Sequence, residues 1–277
     1  MVKITHKNLD KFVKEHFENL KNKLKEFPKS CKYSLEEVIT AEPKKLHEIA
    51  EWAEGRKEEY TFMIGKYKNF TAKKKEYNAY DLASKLQVNV CPYCNINSTF
   101  TIKNGTRPEF DHFYDKATYP ILSLSFYNLI PSCHICNSSL KGDKNFSIKT
   151  HLHPYIDSFD EVAKFSLKLK NSSFYYSIDS FYIELKTIDK RAKNIIKTFK
   201  LEDRYQNHKD IILELIQKKF IYDSSYLDEL LNKYEGTLFK NREDLQRLIS
   251  GGYIDSNEIG KRPLSKLIKD ILEELEF

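Results

Sequence analysis

The chain has 277 residues, of which 40% are hydrophobic, with only 8 glycines and 8 prolines. This length and composition support a sizeable packed core and exclude a low-complexity protein. The formal net charge of +6 is uneven: residues 1–90 carry 19 Lys and Arg against 14 Asp and Glu, residues 91–150 carry 6 against 4, and residues 151–277 carry 21 against 22. Residues 1–150 therefore provide the attraction for a polyphosphate such as DNA or RNA.

The sequence predicts a cytoplasmic protein with reduced cysteines. The N-terminus, MVKITHKNLDKF, lacks the apolar run of a signal peptide, and no stretch approaches the length of a membrane span. Four of the five cysteines form two Cys-x-x-Cys pairs, a pattern that favours metal binding over disulfides in a protein that is not secreted. No membrane partner is expected.

Residues 1–77 are predicted to form a helical region. Apolar residues recur at helical spacing from Leu9 to Leu24, with Asn8 as the start and Pro28 as the stop. Ser34 and the glutamate three residues later match a capping box, which predicts a second, short helix.

Lysines near both ends of the central region are predicted to contact nucleic acid. The run at 73–75 lies beside two tyrosines, and cations interleaved with aromatic rings are typical of strand-binding surfaces, although a solvated helical turn has the same pattern. The predicted contacts are Lys73, Lys74, Lys75, Lys141 and Lys144.

Residues 78–160 contain the two cysteine pairs, and they are predicted to form the functional core. Each pair places two thiolates on one turn, and four thiolates complete a tetrahedral zinc site. The interval between the pairs is longer than in an ordinary zinc ribbon, which indicates an inserted element with a role of its own. Two disulfides or four buried thiols are the alternative. The predicted zinc ligands are Cys91, Cys94, Cys133 and Cys136; His134, between the last two, is expected to be exposed.

The segment between the pairs is predicted to form a hairpin. Residues 110–114 alternate aromatic and polar side chains as a strand does, and residues 121–130 would be the partner strand. A helix would follow from Cys133 to Lys141 and end at Gly142. Such a unit could bring four polar residues to one place: Asp111, His112, Asn128 and Asn137.

These residue types suit phosphodiester hydrolysis. A histidine such as His112 can take a proton from water. Carboxylate and amide oxygens, as on Asp111 and Asn137, are ligands that Mg²⁺ accepts, and the cation would neutralise charge that develops on the phosphate.

The pattern Asp-His, followed by Asn-Leu-x-x-x-Cys-x-x-Cys-Asn-x-x-x-Lys, resembles the HNH (ββα-metal) endonucleases that carry a structural zinc. The resemblance implies that His112 is the general base, that Asn128 holds the hairpin and orients the base, and that Asp111 and Asn137 bind a catalytic Mg²⁺ or Mn²⁺. The last position is Asn rather than His, which departs from the motif that names the family.

Residues 78–160 are similar, more narrowly, to the HNH nuclease subunit of Septu-type anti-phage systems, which also occur with some retrons. That resemblance implies a defence nuclease that acts with an ABC-type ATPase, and this chain has no GxxxxGK[ST] loop of its own. A stand-alone HNH protein would have the same core. A catalytically silent, zinc-containing nucleic-acid-binding or assembly subunit is the alternative function.

Residues 161–277 are predicted to form a small antiparallel meander and then a C-terminal helical region. The strands would lie at 165–169, 174–178 and 181–185, and a last helix would begin at Pro263. His153, just before this region, is expected to be a structural brace. The predicted fold is thus α+β and mainly helical, with a ββα-metal core and its four-cysteine zinc site between two helical regions.

Overall fold

The computed structural model describes residues 2–73, 76–103 and 105–276. About half of the chain is helical, and the named strands form two separate two-stranded antiparallel sheets. The predicted α+β class is therefore confirmed. In the described part of the chain, no helix combines the length and the apolar character needed to cross a membrane.

Amphipathic helices precede the first sheet. The first ends at Lys21, earlier than the predicted stop at Pro28, and it buries Val13. The predicted capping box is confirmed, because the Ser34 hydroxyl accepts from the Glu37 N–H and the Glu37 carboxylate accepts from the Ser34 N–H. The helices are α1 (Leu9–Lys21), α2 (Leu35–Thr40), α3 (Pro43–Trp52), α4 (Phe62–Thr71) and α5 (Ala79–Leu86).

The first sheet pairs two four-residue strands, β1 (Glu109–His112) and β2 (Leu129–Ser132). The prediction of one strand over residues 121–130 is wrong for most of its length. Two 3-10 turns, Pro120–Leu122 and Phe126–Asn128, occupy the segment instead. Residues 120–128 are buried throughout, so their backbone groups need partners, and the turns supply them locally.

A seven-residue π-helix, Ile135–Lys141, follows β2. The helix predicted after Cys133 and its end at Gly142 are both confirmed. Gly142 has φ of +56°, which favours glycine, and its N–H donates to the Asn137 carbonyl at 2.8 Å. The local order is therefore strand, strand, helix.

The second sheet pairs β3 (Ala163–Leu169) with β4 (Phe181–Thr187). The strand predicted over 174–178 is wrong, because the loop between β3 and β4 forms 3-10 turns. The Asn171 side chain accepts from the Ser173 N–H, and the Ser177 side chain accepts from the Asp179 N–H. Such local side-chain bonds offer the backbone an alternative to strand pairing.

A short helix leads into β3, and further helices follow β4. The last of them begins at Ser265, two residues after Pro263, and contacts β3. Its Lys266 forms buried ion pairs with Asp160 and Asp270. These helices are α6 (Phe159–Val162), α7 (Lys190–Thr198), α8 (Leu201–Tyr205), α9 (Lys209–Ile221), α10 (Ser224–Tyr234), α11 (Arg242–Ser250) and α12 (Ser265–Glu274).

One continuous hydrophobic core includes residues from all three predicted regions, among them Leu46 of α3, Phe113 after β1 and Ile271 of α12. A smaller cluster lies around Leu227 and Phe239. The first sheet and its loop therefore share this core with both the N-terminal and the C-terminal helices.

Candidate metal centre and active site

The two Cys-x-x-Cys pairs meet in one buried cluster. The four sulfur atoms all lie within 4.8 Å of one another, and none of the cysteines forms a disulfide. Four thiolates around Zn²⁺ at about 2.3 Å would have sulfurs about 3.8 Å apart, so the donor set fits a zinc ion with little adjustment. The four residues that could hold the ion are those predicted: Cys91, Cys94, Cys133 and Cys136.

Polar groups surround the cysteine cluster. The Arg204 guanidinium donates to Cys136 Sγ at 3.4 Å and to Asn97 Oδ1 at 3.3 Å, and the Ile96 N–H donates to Cys94 Sγ at 3.4 Å. Four thiolates would leave a net negative charge around Zn²⁺, which these donors would offset. Arg204 was not predicted from the sequence, since no local pattern links it to a cysteine 68 positions away.

His112, at the end of β1, is buried and held in one orientation. Its Nε2 lies 3.0 Å from the Ser123 carbonyl oxygen. Because a carbonyl can only accept, Nε2 carries the proton and Nδ1 carries the lone pair. Burial lowers the pKa of His112 to about 3, and the charges of Lys116 and Lys141 also act to lower it. The ring is therefore neutral at physiological pH, with the lone pair on Nδ1.

Asn128 ties the loop that holds His112. Its Nδ2 donates to the carbonyls of Tyr114 and Leu122, each at 3.0 Å, and its Oδ1 accepts from the Tyr114 N–H at 2.7 Å. Leu122 directly precedes Ser123, whose carbonyl accepts from His112. Asn128 therefore fixes the chain that orients the histidine.

The N-terminal helices support the same loop from the opposite side. His16 of α1 donates from Nε2 to the Leu124 carbonyl at 2.9 Å and accepts from the Tyr77 hydroxyl at 2.8 Å. The Ser125 hydroxyl donates to the Val38 carbonyl of α2 at 2.6 Å. His16 was not predicted either, because α1 looks like an ordinary amphipathic helix and the acceptor is 108 residues away.

Asp111 is buried in an ion pair. Its Oδ1 accepts from Lys141 Nζ at 3.0 Å and its Oδ2 from the Tyr93 hydroxyl at 2.6 Å. Lys141 also donates to the His112 carbonyl at 2.6 Å. The Lys141 side chain is 1% exposed, so the prediction that it contacts nucleic acid is wrong: its ammonium neutralises a buried carboxylate.

The other lysines predicted to bind nucleic acid are less constrained by the structure. Lys144 is exposed and donates to the Leu140 carbonyl at 2.6 Å. Lys73 is also exposed. Lys74 and Lys75 lie outside the described residues.

Asn137 lies beside a different carboxylate. Its Nδ2 donates to Glu109 Oε2 at 2.8 Å, and the same carboxylate accepts from His134 Nδ1 at 2.8 Å and from the Ser138 hydroxyl at 2.9 Å. Burial acts to raise the pKa of the Glu109 carboxyl, but these hydrogen bonds outweigh it and hold the pKa below its usual value. His134 is exposed, as predicted.

The predicted catalytic cation does not fit the residues as the structure places them. Both oxygens of Asp111 accept hydrogen bonds from the protein, and its charge is balanced by Lys141. Asn137 is engaged with Glu109. A cation at Asp111 would have to displace the Lys141 ammonium, so no chemical step is assigned to such an ion below.

His153 has the character of a structural brace. It is fully buried, its ring centroid lies 4.2 Å from that of Phe113, and its N–H donates to Asp157 Oδ2 at 2.7 Å. His151 stacks on Phe146 with ring centroids 3.6 Å apart. Both rings therefore pack against buried phenylalanines of the core.

A short stretch of the chain is similar to a known protein. The chain is 38% identical to Protein ea31 of Escherichia phage lambda over 69 residues, which are 24% of this chain and 21% of that protein. The match thus spans about a fifth of the relative's length. The chain matches no model of a known protein family and no solved structure.

Proposed function

We propose that the protein is an HNH-type endonuclease that hydrolyses phosphodiester bonds of nucleic acid, with His112 as the general base. The observation that carries the proposal is the geometry of His112: the Ser123 carbonyl fixes its protonated Nε2, and burial keeps the ring neutral, so that Nδ1 can accept a proton. A general base must be unprotonated before it takes a proton, and the neutral ring meets that requirement.

Three further features support the proposal. A cysteine cluster that can hold zinc joins the two ends of the segment. The strand pair is followed by a π-helix, and such helices occur frequently at functional sites. Asn128 braces the loop that orients His112.

In the proposed reaction, Nδ1 of His112 takes a proton from a water molecule as the water oxygen attacks phosphorus. The new P–O bond forms while the bond to the leaving sugar oxygen breaks, and that oxygen takes a proton from solvent. The resemblance also implies Mg²⁺ or Mn²⁺ at Asp111 and Asn137, which do not fit such an ion as the structure places them, so the step is written without it.

We further propose that the nuclease is the effector of an anti-phage defence system and acts with an ABC-type ATPase. Supporting this are the likeness of residues 78–160 to Septu-type HNH subunits and the absence of a P-loop sequence in the chain. Co-purification with the product of a neighbouring ATPase gene tests it, and two proteins that elute separately at micromolar concentration would contradict it.

A catalytically silent zinc-containing nucleic-acid-binding or assembly subunit is the second candidate. One observation favours it: the Asp111 carboxylate is already neutralised by Lys141 and buried. Such a protein would bind nucleic acid with strong salt dependence and cut none.

The decisive experiment compares cleavage of supercoiled plasmid and of total RNA by the wild type, His112→Gln and His112→Ala, with Mg²⁺, with Mn²⁺ and without added cation. Glutamine can still donate to the Ser123 carbonyl but cannot act as the base. We expect both variants to lose roughly 10²- to 10⁴-fold in rate while zinc content, measured by mass spectrometry, stays unchanged. Cleavage at the wild-type rate by His112→Gln would contradict the proposal.

The pH dependence of the wild-type rate gives an independent test. A base with pKa about 3 is already neutral at pH 5.5, so we expect no acid limb between pH 5.5 and 8. A rate that falls below pH 6.5 would indicate a base of ordinary pKa instead. No cleavage by a zinc-loaded wild type, with or without the ATPase, would leave the silent subunit as the function.

A further inference from the structure

An exposed tyrosine of the β3–β4 hairpin lies between lysines. Tyr182 of β4 is 46% exposed. Lys170 Nζ lies 3.7 Å and Lys209 Nζ 4.7 Å from the centroid of its ring. Lys168 is opposite Tyr182 in the strand register. These ammonium groups lower the pKa of the Tyr182 hydroxyl, Lys170 most strongly.

The two lysines nearest the ring differ from their neighbours in their charge partners. Neither Lys170 nor Lys209 forms an ion pair with any residue that the structure describes. Nearby lysines do: Lys168 pairs with Glu184 at 3.5 Å and Lys164 with Glu273 at 2.6 Å. Two unpaired cations that converge on one exposed ring repel each other, and an anion bound between them would relieve that repulsion.

More exposed aromatic rings lie at the same end of the hairpin. Tyr175 and Tyr176, the latter 61% exposed, are in the loop that joins β3 to β4. Tyr175 contacts Phe220 of α9, which is 67% exposed, with ring centroids 6.2 Å apart. We call this set the Tyr182 surface, and it consists of Lys170, Tyr175, Tyr176, Tyr182, Lys209 and Phe220.

We propose that the Tyr182 surface binds single-stranded nucleic acid, with Lys170 and Lys209 holding a phosphate beside Tyr182 and unpaired bases stacked on Tyr175 and Tyr176. Unpaired lysines match the charge of a phosphate, and exposed rings stack on bases of any sequence. The rings can reach a base face only where the base is not stacked in a duplex, which selects single strands.

This inference deepens the proposed function because it names single-stranded nucleic acid as the substrate class. It rests on the proposed function in one respect: the bound strand is taken to be the strand that is cut. It also assigns nucleic-acid binding to residues 151–277, whose total charge is nearly balanced. The total hides a local excess at the Tyr182 surface, because Lys164 and Lys168 pair with nearby carboxylates while Lys170 and Lys209 do not pair within the described residues.

Fluorescence anisotropy tests the proposal by direct binding. The probes are labelled 20-mers of oligo(dT) and oligo(U) and a 20-base-pair duplex, and a gel run after each titration checks that the probes are still intact. We expect the wild type to bind a single strand more tightly than the duplex, and the two single-stranded probes distinguish DNA from RNA.

Two variants separate stacking from charge. Tyr176→Ala should weaken single-strand binding between about fivefold and a hundredfold with an unchanged salt slope, as expected for one lost stacking ring. Lys170→Gln with Lys209→Gln should make the slope of log K against log salt shallower by about 0.7, because the one phosphate that they neutralise together is lost. The matched control changes another exposed lysine and tyrosine of the same region, Lys233→Gln with Tyr226→Ala, and should bind as the wild type does.

Wild-type affinity and salt slope in both variants would overturn the proposal, as would equal losses for duplex and single strand. Lys209 is half-buried and the other substituted side chains are exposed, so folding of every variant is checked by circular dichroism. Failure here is distinguishable from failure of the proposed function: cleavage that depends on His112 can stand with an unused Tyr182 surface, and strand binding can stand in a protein that never cleaves.

Discussion

At the scale of single residues, the pair Lys141 and Asp111 connects the π-helix to β1. The Lys141 ammonium group donates to the Asp111 carboxylate and to the His112 carbonyl. It therefore also helps to position the candidate base. Removing two charges from water is costly, and attraction offsets that cost only while both partners are present. The pair is therefore a sensitive point of the structure.

We predict that Lys141→Met lowers the free energy of unfolding by about 3–5 kcal/mol, because it leaves the buried Asp111 carboxylate without a cation. Asp111→Asn should also destabilise, and the double variant should lose less than the sum of the two single losses. Urea unfolding of the four proteins measures this coupling. Lys144→Met, on the exposed lysine nearby, serves as control and should change stability by less than about 0.5 kcal/mol. Strictly additive losses would show that the two side chains do not interact.

At the scale of elements, the first sheet is too small to be stable alone. Each of its strands has four residues, and an isolated two-stranded hairpin is marginal in water. The cysteine cluster joins the loop at 91–94 to the end of β2 and the start of the π-helix. A bound zinc ion would therefore hold the strand pair and the helix together.

We predict that the wild type binds one zinc ion per chain and that Cys133→Ser binds little or none. Loss of the metal should cost several kcal/mol and lower Tm by roughly 10 °C. Zinc is measured by mass spectrometry and Tm by circular dichroism. Cys31→Ser, which changes the one cysteine outside the cluster, should keep its zinc. A full complement of zinc in Cys133→Ser would mean that the metal lies elsewhere.

At the scale of the whole molecule, four buried histidines make stability depend on pH. Burial lowers the pKa values of His16 and His151 to about 4 and those of His112 and His153 to about 3. In the unfolded chain each would titrate near about 6.5. The unfolded state therefore binds more protons below that pH, and folded-state stability is lost as the pH falls from about 6.5 towards the folded-state pKa values.

We predict that the free energy of unfolding decreases by about 1.4 kcal/mol per pH unit for each of these histidines below about pH 6. Urea titrations at pH 7.5, 6.5, 5.5 and 5.0 measure the slope. In His16→Gln, the slope of the unfolding free energy against pH should be shallower by the contribution of about one proton. Acid release of zinc would affect both proteins equally and so does not alter that difference. Equal unfolding free energies at pH 7.5 and 5.0 would contradict the prediction.

Features that depend on neighbours in the chain could be predicted from the sequence. The Ser34 capping box, the helix that ends at Gly142 and the grouping of the four cysteines all follow from local spacing. Spacing also predicts a strand at Asp111 and His112. Spacing fails for residues 120–128, between the strands. Their apolar pattern fits a buried strand and a run of buried turns equally well, and only the need to satisfy their backbone groups decides between the two.

What the sequence by itself determined is thus the α+β class, the cysteine ligands and the polar residues worth testing, because residue type and spacing are properties of a short segment. Only the tertiary structure decided which partner each of those residues meets. Lys141 joins Asp111 instead of facing solvent, Asn137 joins Glu109, and His16 supports the loop of His112 from 108 residues away. The physical reason is that a buried charge or polar group takes whichever partner the packed core brings within hydrogen-bonding distance, and that choice depends on the whole chain.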